Sequence, residues 1–344
     1  MITQQPCCCG GACQPPITVD SRLNWRDRLG FAAMRFGFGR DRYSIEPGLY
    51  AAGSPNLESP VLVTANYKMT FDILRSNLTG INAWILVLDT HGINVWCAAG
   101  KGTFGTDEIV QKIKQVRLDS VVSHKNIVVP QLGAPGIAAH EVKQQTGFRV
   151  NYGPIRADGI KKYLDAGMKA TPDMRQFRFP LNDRIALAPL ELTVMFKWII
   201  LLILFLAGMS GFHASEYSPQ HIINTGIPAV IILTAAWIAA GFLITALLPY
   251  IPVKMLSLKG MFVGFPLAVL GGIYWENYRF DNAFGMDGLG LMIIGISGYL
   301  GLVLTGSMPY TSISGVKIEM RKMLPVIAAI FSLGLTFWTV GRFL

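Results

Sequence analysis

The second half of this chain limits its possible folds more than any other feature. From Leu192 to Val340 the sequence is mostly hydrocarbon. It divides into about five apolar runs: Leu192–Phe212, Ile227–Leu248 (closed by Pro249), Gly260–Trp275, Gly288–Gly306 and Leu324–Val340. Runs of roughly 20 residues match the thickness of a bilayer core, so residues 190–344 are expected to form an all-α transmembrane bundle of about five helices. Only 15% of the 344 residues are charged and the mean hydropathy is +0.41, too apolar for an ordinary soluble protein. Lys254 and Lys259 follow the second run, and Lys317, Arg321 and Lys322 follow the fourth. The link after the first run has no Lys or Arg, and the link after the third has only Arg279. The positive-inside rule then predicts a multi-pass protein of the cytoplasmic (inner) membrane, with the N-terminal part in the cytoplasm and the C-terminus outside. Glu216, Glu276 and Asp281 fall near the ends of runs, so no ion path is expected, and the polar stretch Tyr310–Glu319 reads as a loop on the cytoplasmic side. Glycines 288, 290, 295, 298 and 301 suit tight helix packing.

Ahead of this bundle, residues 21–185 carry an ordinary mix of charge, Gly and Pro. Three β-rich runs read as strands: Pro60–Thr64, Ala83–Asp89 and Asn126–Pro130, with a short fourth at Arg149–Pro154. Between them, Phe71, Leu74 and Leu78 keep helical spacing. Thr106 is expected to cap a helix with Asp107 and Glu108 in its first turn and a buried stripe of Ile109, Ile113 and Val116. Helices are also expected over Ile137–Gln145 and Ile160–Ala166. Strands alternating with helices predict a Rossmann-like α/β domain, a largely parallel sheet covered on both faces. The Arg-, Gly- and Phe-rich segment after Trp25 gives no legible fold.

One octet stands out, Asn94-Val95-Trp96-Cys97-Ala98-Ala99-Gly100-Lys101. It follows a buried strand and the turn His91-Gly92, and it presents a cysteine on a short helix in the usual ligand crevice of an α/β sheet. Helix N-terminal amides and Lys101 are expected to favour the Cys97 thiolate. A lone buried cysteine is more often structural, and the octet alone leaves both readings open. The turns Thr64–Asn66 and Gly133–Gly136 sit at strand ends and suit close approach to a large polar ligand.

Neither turn is a G-x-G-x-x-G fingerprint, and there is no P-loop, G-x-S-x-G elbow or H-E-x-x-H. Residues 1–20 contain Cys7, Cys8, Cys9 and Cys13 among Gly, Pro and Gln, without an apolar leader core. This tail is expected to be flexible, and its four thiols either capture a soft metal ion or remain reduced and unliganded. Their spacing matches no zinc or iron–sulfur motif. The net charge of +9 is accounted for by membrane-adjacent Lys and Arg, and no base-stacking stripe suggests nucleic acid.

The runs PVLVTANYKMTFDILR, AWILVLDTHGINVWCAAGKGTFGTDEIV and QLGAPGIAAHEVKQQTGFRVNYGPIRA resemble the corrinoid-binding module of the corrinoid iron–sulfur protein large subunit. More narrowly, the octet and the membrane half are similar to the HgcA family, the membrane-anchored corrinoid proteins of bacterial mercury methylation. The resemblance implies a corrinoid (cobalamin-type, cobalt) with Cys97 as lower axial ligand on a cap helix. It also implies a pocket of Thr64, Asn66, Asn94, Val95, Trp96, Ala98, Lys101, Gly133, Ala134, Gly136, Tyr152 and Gly153. The implied activity is a corrinoid-dependent methyltransferase passing a methyl group from methyl-Co(III) corrinoid to Hg(II). Its partners would be a ferredoxin-like 4Fe–4S protein of the HgcB type as electron donor, and a methyl donor protein or methyl-tetrahydrofolate system. Mercury capture by Cys7, Cys8, Cys9 and Cys13 is the corresponding reading of the tail. The D-x-H-x-x-G motif of histidine-ligated corrinoid proteins is broken here, because Asn94 follows Asp89-Thr90-His91 where Gly belongs. A methyl carrier of one-carbon (acetyl-CoA pathway-like) metabolism with another acceptor is the alternative, and a nucleotide-binding membrane sensor or transporter is a third.

Overall fold

The computed structural model describes residues 16–214, 216–277, 283–308 and 311–344. Cys7, Cys8, Cys9, Cys13, Arg279, Asp281 and Tyr310 lie outside the described residues, as does the Glu276 side chain. The chain divides into two compact units. One comprises residues 38–178 with the described part of residues 1–34, and the other comprises residues 35–37 and 179–344.

The first unit is built on a six-stranded sheet: β1 (Ile17–Val19), β2 (Gly48–Ala52), β3 (Val61–Ala65), β4 (Ala83–Leu88), β5 (Asn126–Val129) and β6 (Arg149–Tyr152). The spatial order is β1-β2-β4-β3-β5-β6. β3 pairs in parallel with β4 (Val61 opposite Trp84, Ala65 opposite Leu88) and with β5 (Leu62 opposite Val128). β5 in turn pairs in parallel with β6. These strands are short runs rich in Val, Ile, Leu and Ala, as sheets buried on both faces require. Successive residues serve opposite faces. Val61, Val63, Leu86 and Leu88 pack with Phe104, Ile109, Ile113 and Val142. Leu62, Ile85 and Val87 pack with Phe71, Leu78, Ile160 and Tyr163 on the other side. The helices are α1 (Trp25–Arg35), α2 (Lys68–Ser76), α3 (Val95–Lys101), α4 (Thr106–Gln115), α5 (Leu118–Val121), α6 (Ala139–Thr146) and α7 (Ile160–Asp165).

The expected largely parallel sheet is found, with β3 to β6 all parallel and one antiparallel pair at an edge the sequence did not reveal. The illegible segment contains β2, which runs antiparallel to β4 (Gly48 opposite Val87, Ala52 opposite Ala83), with β1 parallel to β2 beyond it. The sequence Gly-Leu-Tyr-Ala-Ala has no β-branched residue, so only pairing with β4 makes it a strand. Thr106 is also not the N-cap of α4. Gly105 holds that position, and the Thr106 hydroxyl accepts from the Ala138 N–H at 2.9 Å.

A buried ionic network ties α1 to α2. The Arg75 guanidinium donates through Nε to Asp72 and through Nη2 to Asp27, both at 2.7 Å. Lys68 bridges the same two carboxylates, reaching Asp27 at 2.7 Å. Burial works against the Asp27 charge, but hydrogen bonds from Lys68, the Asn24 backbone and Arg75 outweigh it and lower its pKa from 3.8 to about 2. A depressed carboxylate stabilises the fold fully above its unfolded pKa and loses that contribution as pH falls through the folded one. Wild type is therefore expected to lose stability between about pH 4 and pH 2 more steeply than Asp27→Asn. Thermal melting of the full chain in detergent at stepped pH would show this, and parallel curves would refute it.

The second unit contains α8 (Leu181–Ile185), α9 (Ala188–Met209), α10 (Pro219–His221), α11 (Ile227–Leu247), α12 (Leu256–Asn277), α13 (Ala283–Leu304) and α14 (Ile313–Val340). Five helical stretches are long and apolar enough to cross a membrane, as expected: 181–209, 219–247, 256–274, 283–304 and 314–340. Helix bounds differ most in the last span. Residues 313–319, expected as loop, are the first turns of α14, where Ser312 caps the helix by accepting from Gly315 N–H. A 22-residue helix such as α13 spans about 33 Å. Helix α13 is the most enclosed of the five, and its glycines explain why. A Cβ at Gly288 would lie 2.5 Å from Trp338 N, and one at Gly301 would lie 2.2 Å from Leu256 O. Neighbouring backbones thus approach closely at both ends of α13.

Candidate functional site

The crevice is set by topology. After β3 the chain lays β4 on one side and then returns to place β5 on the other, so the carboxyl ends of β3 and β5 form a switch point where ligands of open α/β sheets bind. A cavity of about 170 Å³ opens there, walled by Thr64 of β3, Pro130 and Leu132 after β5, Gly153 and Ile155 after β6, and Val95 of α3. Of the residues expected in the pocket, Thr64, Val95 and Gly153 line this cavity.

Helix α3 carries Cys97, which is half-buried with a free thiol and is the one cysteine among the described residues. Its first turn is held by Asn94, whose side-chain oxygen accepts from the Cys97 N–H at 2.9 Å. This is an N-cap bond, and it fixes the backbone of the cysteine itself. Gly102 closes the helix in the left-handed region at φ 82°. Trp96 is half-buried and Ala98 fully buried, while Lys101 is exposed one turn after Cys97 on the same face of the helix.

The turn that delivers α3 is clamped from β3. Asn66, 6% exposed, donates from Nδ2 to Asp89 at 3.1 Å. Its oxygen accepts from the N–H groups of Thr90 (3.1 Å) and Gly92 (3.0 Å). The Thr90 hydroxyl shares its hydrogen between that same oxygen (2.8 Å) and the Ile93 carbonyl (2.7 Å). This clamp supports a strained turn in which His91 and Gly92 both have positive φ, 55° and 71°. The amide of Asn66, expected in the pocket, is committed to this turn, and it positions α3. The sequence placed Glu108 only in the first turn of α4; its carboxylate also accepts from the Asp89 N–H at 2.9 Å.

The Gly133–Gly136 turn is likewise directed at protein. It forms a 3-10 helix, Gln131–Gly136, packed on α3. A Cβ at Gly133 would lie 2.4 Å from the Phe104 ring, and one at Gly136 would lie 2.2 Å from the Phe104 carbonyl and 3.2 Å from Ala99 Cα. Both glycines allow α3 to approach the turn, and neither bare face points at the cavity. Gly136→Ala is expected to destabilise by about 2 kcal/mol through overpacking against backbone. Gly100→Ala, in α3 with open space around it, is expected to be neutral or slightly stabilising. Melting the two variants side by side in detergent checks this contrast.

Ala134 is half-buried in this turn. Tyr152, at the end of β6, donates its hydroxyl to the Ile137 carbonyl at 3.1 Å, and burial pushes its pKa upward, so it is a neutral donor at physiological pH. Two buried polar atoms beside α3 have no hydrogen-bond partner among the described residues: Gln131 Oε1 and Thr103 Oγ1. The sequence alone did not single out either residue, since an orphaned polar group is visible only once its surroundings are known.

Residues 36–164 match the family model described as CO dehydrogenase/acetyl-CoA synthase delta subunit. The chain is 33% identical over 128 residues to the acetyl-CoA decarbonylase/synthase complex subunit gamma of Archaeoglobus fulgidus, a stretch covering 37% of this chain and 27% of that protein. It is 32% identical over 126 residues to the corrinoid/iron–sulfur protein large subunit of Moorella thermoacetica, covering 36% of this chain and 28% of the relative. The chain thus spans little more than a quarter of the length of these relatives, and the matched stretch ends before α8. The sheet unit of this protein is therefore similar to the corrinoid/iron–sulfur protein large subunit over residues 36–164, and it is followed in the chain by five helices long and apolar enough to cross a membrane.

Proposed function

We propose that this chain is a membrane-anchored, corrinoid-dependent methyltransferase whose methyl acceptor is Hg(II). The observation that carries the reading is Cys97. It is a free thiol on a helix whose first turn is pinned by Asn94 and whose approach is clamped by Asn66, beside the switch-point crevice of a corrinoid/iron–sulfur-like domain.

The residues present fit such a group. A corrinoid bears amide side arms at its rim, and the unpartnered Gln131 Oε1 and Thr103 Oγ1 offer acceptors and a donor of matching chemistry. The 170 Å³ cavity has the volume of an arm rather than a whole macrocycle, which fits binding at the rim of the sheet. Cys97 is assigned as the cobalt ligand, with Thr64, Val95, Trp96, Ala98, Ala134, Tyr152 and Gly153 around the group and Lys101 at the helix end. When bound, the corrinoid supplies a cobalt centre that carries a methyl group and releases it to an acceptor. Asn94 and Asn66 hold the sulfur in place, and the apolar residues at the strand ends keep water from the crevice. As a thiolate ligand, Cys97 would donate electron density to the cobalt and would favour transfer of its methyl group, with the bonding electrons, to a soft ion such as Hg(II). Electrons for the next turnover come from a ferredoxin-like 4Fe–4S protein of the HgcB type, and the methyl group from a donor protein or methyl-tetrahydrofolate system. The bundle anchors the domain on the cytoplasmic side, in keeping with the Lys and Arg around Lys254, Lys259, Lys317, Arg321 and Lys322.

The relatives' names favour a second reading, a methyl carrier serving an acetyl-CoA-forming system. Anaerobic loading of the purified full chain with methylcorrinoid, followed by Hg(II), separates the two. The proposal expects protein-bound colour and methylmercury formed faster than by free methylcorrinoid. A coloured protein no faster than the free cofactor would move the assignment to the carrier.

A further inference from the structure

Outside the crevice, the second unit holds a buried cation with no ion pair among the described residues. Arg184 in α8 is 7% exposed, and its Nε and Nη1 have no hydrogen-bond partner among the described residues. Leaving a guanidinium in this condition is costly unless a ligand completes it. Arg184 lines a cavity of about 530 Å³ that it shares with Lys254 and Lys259. Lys259 is steadied by donating to the Leu248 and Ile251 carbonyls, the latter at 2.8 Å, which holds its ammonium at the cavity. The carboxylate that reaches the first turn of α12, Glu319, is committed to the Ser257 N–H and hydroxyl, both at 2.7 Å. Three cations therefore face one cavity, and the remaining wall includes Leu248, Val253 and Leu256.

The position of this cavity narrows the ligand. It lies where α8 leads into α9, α11 ends, α12 begins and the chain enters α14, all at one end of the apolar helices. Basic pockets between membrane helices at that level meet lipid head groups, and the planar guanidinium fork matches phosphate oxygens in pairs. We propose that Arg184, Lys254 and Lys259 form a binding site for the phosphate of an anionic phospholipid head group, with Leu248 and Val253 meeting the start of its acyl chains.

The test uses the full chain in detergent, with thermal melting and native mass spectrometry after adding phosphatidylglycerol, phosphatidylcholine or inorganic phosphate. Phosphatidylglycerol is expected to raise the melting temperature and remain bound, and the other two are expected to do neither. Arg184→Met and Lys254→Gln should each weaken phosphatidylglycerol binding by about tenfold or more, the loss of one charge-assisted contact. Without lipid, Arg184→Met should melt no lower than wild type, because it removes an uncompensated buried charge. Lys254 is exposed, so its variant carries the test even if the Arg184 variant does not fold. Equal binding of phosphatidylglycerol by wild type and Lys254→Gln, or the same shift with phosphatidylcholine, would overturn the site. The same shift with inorganic phosphate would overturn its assignment to lipid.

Discussion

Cys97→Ala is expected to lower methylmercury formation by the corrinoid-loaded protein by at least about 100-fold, while the chain still folds and still binds the corrinoid. The magnitude follows from comparison: changing an outer partner of a metal ligand costs roughly 10–100-fold, and removing the ligand itself should reach at least the upper bound. Folding should be spared because the thiol is half-buried and free, and the Asn94 cap engages the backbone N–H of residue 97, which alanine retains. A stability change of about 1 kcal/mol or less is expected. The discriminating readout is the visible spectrum of the bound corrinoid, which should shift when a sulfur ligand is lost. A structural cysteine would move the melting temperature and leave both spectrum and rate unchanged. That result would remove Cys97 from the chemistry.

Arg75→Met is expected to be the most destabilising single change in the sheet unit, about 3–5 kcal/mol, because it breaks a buried pair from one side. It would leave Asp72, which is fully buried, and Asp27, 5% exposed, facing each other with only Lys68 between them. It would also release the Asp20 carbonyl, which now accepts from Arg75 Nη1 at 2.6 Å, so β1 and α1 would lose their tether to α2. A drop in melting temperature on the order of 10 °C is expected for the full chain in detergent. The loss should be partly recovered when Asp72→Leu is combined with Arg75→Met, since a matched apolar pair removes the stranded charge. A double variant no better than the single one would show that the network contributes geometry rather than charge balance.

The candidate site was legible in part, and the divide follows sequence distance. The short helix that carries Cys97 is local and was read from the octet, while the Asn94 cap that pins it, three residues before Cys97, came only from the structure. The packing of Asn66, Gly133 and Gly136 was not legible because each is decided by a residue far along the chain. Asn66 meets a turn 23 to 26 residues later, and Gly136 meets Phe104. An asparagine and two glycines at strand ends look the same whether they face a ligand or a neighbouring loop. Gln131 and Thr103 could not be found at all, since being without a partner is a property of surroundings.

The sequence by itself determined the apolar helices and the central parallel strands, because both depend on runs of side chains that must leave water regardless of what they later touch. It also determined the short helix that carries Cys97. Only the tertiary structure decided which strand edge received β2, which amide clamps the Cys97 turn, which carboxylates Arg75 meets, and that Arg184, Lys254 and Lys259 face one cavity. Those outcomes depend on which distant elements become neighbours, and hydrogen bonds and ion pairs, acting over about 3 Å, are specified only after that choice is made.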